Sequence, residues 1–239
     1  SRLDIPVFHD DQHGTAIVVV AALTNALKVV EKAIGDVRIV LSGAGAAGTA
    51  VLRLLLAAGA RDVVVADIEG VVHPARPGLA PSLRWTAEST NPRGVTGTIA
   101  QALVGADVFI GVSAPDVITG DDVATMADDA IVFALANPRP EVDPDDAAQH
   151  AAVVGTGRSD FANQINNVLA FPGVFRGLLD AQSHKVTEHM LLAAANALAS
   201  VVRDDELNPT YIVPSVFNPE VTRVVAAAVA NAARLAEWG

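Results

Sequence analysis

Apolar residues recur at helical spacing from Thr15 to Ile34, at Ile17, Val20, Ala21, Leu23, Leu27, Val30 and Ile34, and Gly35 follows as a stop signal. The next apolar run, VRIVLS at 37–42, is short and dense in β-branched residues, as expected of a strand buried on both faces. A glycine turn, a helix-like AAGTAVLRLLLAAGA at 46–60 and a second strand, DVVVAD at 62–67, complete a βαβ unit. Further strand-like runs lie at 107–113, 130–137 and 151–157, preceded by segments of helical character that include 97–104 and 120–128. Gly70 to Arg93 is Pro-rich and aperiodic, and reads as a long surface connection around at most one short helix. After Phe171 the pattern becomes helical at 172–182, 186–203 and 218–237, with Asn218 as the cap of the last helix and Pro219 in its first turn.

Strands alternating with helices predict an α/β fold of the Rossmann type: a doubly wound, mostly parallel sheet with helices on both faces, followed by C-terminal helices. No internal repeat or low-complexity linker interrupts residues 1–239, so one domain is expected. About half of the residues are apolar (51%), which gives ample material for a core. The formal charge of -11, from 27 acidic and 16 basic residues, works against a nucleic-acid or anionic-membrane partner. There is no cysteine, so any metal site must use carboxylate, imidazole or backbone oxygen, which points to a hard cation. No segment reaches the roughly 18 uninterrupted apolar residues of a membrane span, and no basic-then-apolar signal pattern opens the chain. Cytoplasmic is the expected location.

SGAGAAG places Gly43, Gly45 and Gly48 in a G-x-G-x-x-G pattern after a strand and at the opening of a helix, the context that a dinucleotide fingerprint requires. Gly43 permits the tight turn, Gly45 lets the backbone approach a pyrophosphate at the helix N-terminus, and Gly48 lets helix and strand pack closely. Asp67, at the end of the second strand, matches the acid that accepts hydrogen bonds from an adenosine ribose, and this favours NAD over NADP. Arg76, in the following loop, offsets that preference. Two later strand ends, GVSAP at 111–115 and ALANPRPE at 134–141, end in a small polar residue and a proline, which places Ser113 and Asn137 at the crevice or in simple turn hydrogen bonds. The segment 156–173 carries Arg158, Asp160, Asn163, Gln164, Asn166 and Asn167 with almost no periodicity. Amides at such density suit a small polar substrate, because they donate to carboxylates and accept from hydroxyls.

FHDDQHGTA at 8–16 sets Asp10 and Asp11 between His9 and His13 at the start of the first helix. Two readings compete. Adjacent aspartates cap a helix and complement its dipole; they also ligate Mg²⁺ or Mn²⁺, which bind oxygen and keep waters for exchange.

In order, IPVFHDDQHGTA (5–16), SGAGAAG (42–48), TNPRGVTGT (90–98), DVFIGVSAP (107–115), IVFALANPRPE (131–141) and GRSDFANQINNVLAFPGVFRG (157–177) resemble the NAD(P)-binding domain of malic enzymes, in their compact bacterial form. The resemblance spans nearly the whole chain. It implies that Asp11 is a ligand of the catalytic Mg²⁺ or Mn²⁺ with Asp10 in support, and that Asn137 and Asn167 contact malate, Asn137 also lying near the nicotinamide. Gly43, Ala44, Gly45, Ala46, Ala47 and Gly48 match the pyrophosphate loop, and Asp67 the ribose acid. The activity implied is oxidative decarboxylation of malate to pyruvate and CO₂ with reduction of NAD(P), in a homodimer or larger assembly. The family's catalytic lysine and tyrosine, and an acidic pair of its metal site, belong to a preceding domain. None of Lys28, Lys32, Lys185 or Tyr211 sits in a matching motif, so no catalytic residue is expected in this chain, which is expected to bind dinucleotide as part of a longer polypeptide. A malolactic enzyme, which releases lactate and keeps its NAD, and a non-catalytic dinucleotide-binding module are the alternatives.

Overall fold

The computed structural model describes residues 5–237, with the side chains of 236 and 237 left aside. Its centre is a six-stranded sheet in the order β3-β2-β1-β4-β5-β6. Strands β1 (Arg38–Ser42), β2 (Asp62–Asp67), β4 (Val108–Gly111), β5 (Ile131–Ala134) and β6 (Val153–Thr156) run parallel, while β3 (Gly70–Val71) returns antiparallel beside β2. The expected doubly wound order is therefore present, with its third position filled by a two-residue hairpin strand instead of a full βαβ crossover.

Side chains alternate across the sheet. Ile39 and Leu41, Val63 and Val65, Val108 and Ile110, and Ile131 and Phe133 face one core. Val40, Val64, Phe109, Val132 and Ala134 face the other. Both faces are covered, which is why these strands read as continuous apolar runs. The first core lies under α1 (Thr15–Val29), α2 (Ala46–Ala57) and, outside them, α7 (Phe171–Asp180), α8 (Glu188–Ala199) and α9 (Pro219–Glu237). The second is thinner. It lies under α4 (Ile99–Leu103), α5 (Gly120–Val123) and α6 (Pro144–Ala147), while α3 (Arg84–Ser89), behind a short 3-10 turn at Pro81–Leu83, packs Ala87 on the first core.

Helix α1 is buried on every side from Ala16 to Leu23, because α2 and α8 enclose the flank that the sheet leaves open. A helix apolar all round is the expected response to such a site. Its Asn25, fully buried, donates to the carbonyls of Ala199 and Ile212 at 3.0 and 2.9 Å and so pins α1 to the end of α8.

Several boundaries differ from the periodic pattern. Helix α1 stops at Val29 and not at Gly35: Glu31 turns left-handed (φ 56°) and the Lys32 N–H closes on the Leu27 carbonyl at 3.0 Å. The helices expected at 97–104 and 120–128 shorten to α4 and α5, each opened by a threonine capping box at Thr98 and Thr119. The segment 70–93 holds a strand as well as a helix, and α6 has no counterpart in the periodic pattern, being one turn set by the Asp143 cap and Pro144. Asn218 caps α9 as expected, accepting from Glu220 N–H at 2.9 Å.

Candidate functional site

Past the carboxyl ends of β1, β4, β5 and β6, where the strand order switches direction, an open α/β sheet forms its ligand crevice. A cleft of about 570 Å³ lies there, and Asp10, Asp11, Ala47, Ser113, Asn137 and Asn167 are among its lining residues. Six expected site residues, drawn from five stretches of the chain, therefore share one cavity. Asp67 does not line it; it ends β2 on the other side of β1.

The three glycines of the loop are glycine for three different reasons. Gly43 adopts φ 109°, and a Cβ there would sit 2.7 Å from the Val112 carbonyl oxygen. A Cβ on Gly48 would overlap the Gly43 carbonyl, so the start of α2 rests directly on the turn. Gly45 has no such constraint: its φ of -79° suits any residue, and a Cβ would meet no atom within 4 Å beyond its immediate chain neighbours. Neither backbone strain nor packing explains the missing side chain at Gly45. The N-terminus of α2 also has no side-chain cap, which leaves its first N–H groups and dipole directed at that space.

At the end of β2, Asp67 is held by Arg76, whose two terminal nitrogens donate to the two carboxylate oxygens at 2.8 and 2.7 Å; Glu69 N–H adds a third bond at 2.9 Å. Burial alone raises the Asp67 pKa, but the Arg76 and Glu69 hydrogen bonds and the arginine charge outweigh it and hold the carboxyl below its ordinary value. Arg76 is pushed up in turn by the same bonds, and its buried Nε has no partner. The residue expected to be the ribose acid and the arginine of the following loop are thus joined in one pair.

The N-terminal cluster forms a wide, π-type turn over Asp10–Gly14 that runs straight into α1. Neither aspartate caps it. The His9 N–H instead donates to Nδ1 of His13 at 3.0 Å, so the imidazole does the capping. The His13 pKa is lowered, chiefly by burial and then by the charge of His9. Asp10 and Asp11 complement the helix dipole while their exposed carboxylates remain at the cleft. Among the described residues, no group of three His, Asp or Glu is arranged to hold a metal.

The amide-rich segment divides by task. Asn163 is buried and structural: Nδ2 donates to the carbonyls of Val154 and Pro209 at 2.9 and 2.8 Å, and Oδ1 accepts from Ile212 N–H at 3.0 Å. Arg158 and Asp160 satisfy each other. Asn166 caps the short turn at 167–169 through Val168 N–H. Asn167 alone reaches back to the N-terminal turn, its Nδ2 donating to Thr15 Oγ1 at 3.1 Å and to the Asp10 carbonyl at 3.3 Å. The expectation that the amides collectively address a substrate is narrowed to Asn166 and Asn167, which line the cleft.

Asn137 is exposed, packed against Gly157, and makes only a 3.4 Å bond to the Leu135 carbonyl. Ser113 shares a hydrogen with Ser42 Oγ at 2.8 Å and is tied to Glu141. Thr15 and Glu141 were not legible as site residues: the first reads as a helix start, the second as the tail of a proline-rich turn. Lys28 and Lys32 pair with Asp204 and Asp107, and neither lines the cleft.

Residues 12–234 match the family model described as malic enzyme, NAD binding domain. The chain is 54% identical over 232 residues to an NAD-dependent malic enzyme of Geobacillus stearothermophilus, covering 97% of this chain and 48% of that protein. It is 50% identical over 232 residues to a bifunctional malic/malolactic enzyme of Bacillus subtilis, covering 96% and 57% respectively. The structure of malic enzyme from Pyrococcus horikoshii superposes with a TM-score of 0.94 at 45% identity, covering 99% of this chain and 57% of that one. The chain thus spans about half the length of the curated relatives it matches.

Proposed function

The chain belongs to the malic enzyme family through its NAD-binding domain, and on that premise we propose that it binds NAD(P) for a divalent-metal-dependent oxidative decarboxylation of malate to pyruvate and CO₂. The observation that supports dinucleotide binding is Gly45, whose bare backbone lies in open space beside the uncapped N-terminus of α2, where a pyrophosphate would lie. The pyrophosphate lies on the loop from Gly43 to Gly48 and on the first turn of α2. Asp67 addresses the adenosine ribose, and Ser113 and Asn137 border the nicotinamide.

Malate occupies the cleft between Asn137 and Asn167, whose amides bond its carboxylate and hydroxyl oxygens. Val18, Ile165 and Phe171 give the same cleft an apolar wall that limits water. Asp10 and Asp11 are hard oxygen donors of the kind that Mg²⁺ or Mn²⁺ takes and would form part of its coordination set; among the described residues no third such group joins them. The cation, when bound, supplies Lewis-acid polarisation of malate oxygens. No lysine, histidine or tyrosine lines the cleft among the described residues, so the proton acceptor and donor of the reaction are not assigned to the residues that line it. The assembly proposed is a homodimer or larger.

A malolactic outcome is the second reading, favoured by the bifunctional relative from Bacillus subtilis. Incubating the full-length protein with malate, NAD and Mn²⁺ is expected to give pyruvate and NADH in equal amounts. Lactate without net NADH selects the second reading. Failure of the 239-residue chain to bind either dinucleotide removes both readings. Asp11→Asn in the full-length protein is expected to weaken Mn²⁺ at least tenfold or so, since a charged oxygen ligand is lost; unchanged affinity excludes Asp11 from the ligand set.

A further inference from the structure

β4 and β5 are in register up to the pair Gly111 and Ala134. Beyond it the strands separate, and the cleft opens between their continuations, with Val112 and Ser113 on one side and Leu135, Ala136 and Asn137 on the other. Two residues past the last pair on each strand, the N–H groups of Ser113 and Ala136 have no rung to join. Both are taken by one side chain. Glu141 Oε1 accepts from Ser113 N–H at 2.8 Å and from Ser113 Oγ at 3.2 Å, and Oε2 accepts from Ala136 N–H at 2.9 Å. The carboxylate is 0% exposed, and among the described residues no cation pairs with it. It rests on the bare backbone of Gly111, where a Cβ would collide with its carboxyl carbon.

A buried carboxylate without a counter-ion is costly unless backbone donors satisfy it. An apolar side chain at 141 would fill the space but leave two N–H groups unpaired and the strand ends free to move. Resting on the dinucleotide reading, we propose that Glu141 is a positioning residue for the nicotinamide half of the site: it replaces the missing rung between β4 and β5 and so fixes Ser113 and Asn137 at the cleft. The adenine half, on the glycine loop and Asp67, is built on β1 and β2; Glu141 hydrogen-bonds neither, and its link to them runs through Ser113, which shares a hydrogen with Ser42 Oγ at 2.8 Å.

The test separates the two halves in the 239-residue chain by titrating NADH, followed by its fluorescence, and ADP-ribose, followed by calorimetry. Glu141→Gln is nearly isosteric, but its NH₂ must face one of the two N–H donors. It is expected to weaken NADH about tenfold while ADP-ribose stays within about twofold. Glu141→Asp keeps the charge one methylene short, and should fall between wild type and the Gln variant for NADH alone. Equal losses of NADH and ADP-ribose in both variants, or no loss of NADH in either, overturn the proposal. If the wild-type chain binds neither ligand, the dinucleotide reading itself fails and this inference with it.

Discussion

Arg76 places both terminal nitrogens of its guanidinium on the two oxygens of Asp67, at 2.8 and 2.7 Å, with side chains only 9% and 18% exposed. A free carboxylate at this position repels a 2′-phosphate, and a free arginine nearby welcomes it. Here each restrains the other. Asp67→Ala removes the proposed ribose acceptor and releases Arg76, so NAD affinity is expected to fall about tenfold or more while NADP affinity holds or rises. Parallel titrations with the two dinucleotides check this, and equal losses would remove Asp67 from the ribose site.

Gly45 and Gly48 should respond to substitution in opposite ways. At Gly45 a Cβ meets no atom within 4 Å beyond its immediate chain neighbours, so Gly45→Val is expected to leave the melting temperature nearly unchanged and to abolish measurable dinucleotide binding. At Gly48 even a methyl group lands on the Gly43 carbonyl. Gly48→Ala should therefore cost about 1–3 kcal/mol of stability by urea denaturation. A destabilised Gly45 variant that still binds NAD would contradict the assignment.

His13 makes the N-terminal turn sensitive to acid. Its pKa lies below the ordinary value because of burial and the neighbouring His9 charge, so the folded state favours the neutral ring. A depressed folded pKa contributes stability that is complete above the unfolded value, near about 6.5, and is lost as pH falls through the folded one. Protonation at Nδ1 also ends its acceptance from His9 N–H. NMR titration is expected to place the His13 midpoint below that of an ordinary histidine, with faster amide exchange at His9 on acidification. A midpoint at or above the ordinary value would contradict the capping role.

Asn163 anchors the loop after β6 to the segment before α9 through its bonds to Val154, Pro209 and Ile212. Asn163→Ala strands those groups and puts alanine at φ 54°. The expected loss is about 2–4 kcal/mol, read by urea denaturation. A cost under about 0.5 kcal/mol, the usual surface value, would make it one more solvated amide.

Much of this molecule follows from local rules acting on its sequence. Strands covered on both faces must be continuously apolar, and IVL within β1, VFIG and IVFA are. The glycine loop and Asp67 declare their place because spacing along a βαβ unit is itself a local property. Short helices were less legible: α4, α5 and α6 owe their existence to capping bonds at Thr98, Thr119 and Asp143 more than to a periodic apolar face.

Tertiary structure decided what sits opposite what. Thr15 and Asn167 are hydrogen-bonded across 152 positions, and Glu141 spans the ends of two strands that share no local signal. It also overturned the capping expectation for the aspartates, giving the cap of the first helical turn to His13 and leaving Asp10 and Asp11 at the cleft. Periodicity reports which face a residue presents to its own element. Which group meets it there depends on how the chain crosses over, and that is settled only when the sheet order brings β1, β4 and β5 side by side.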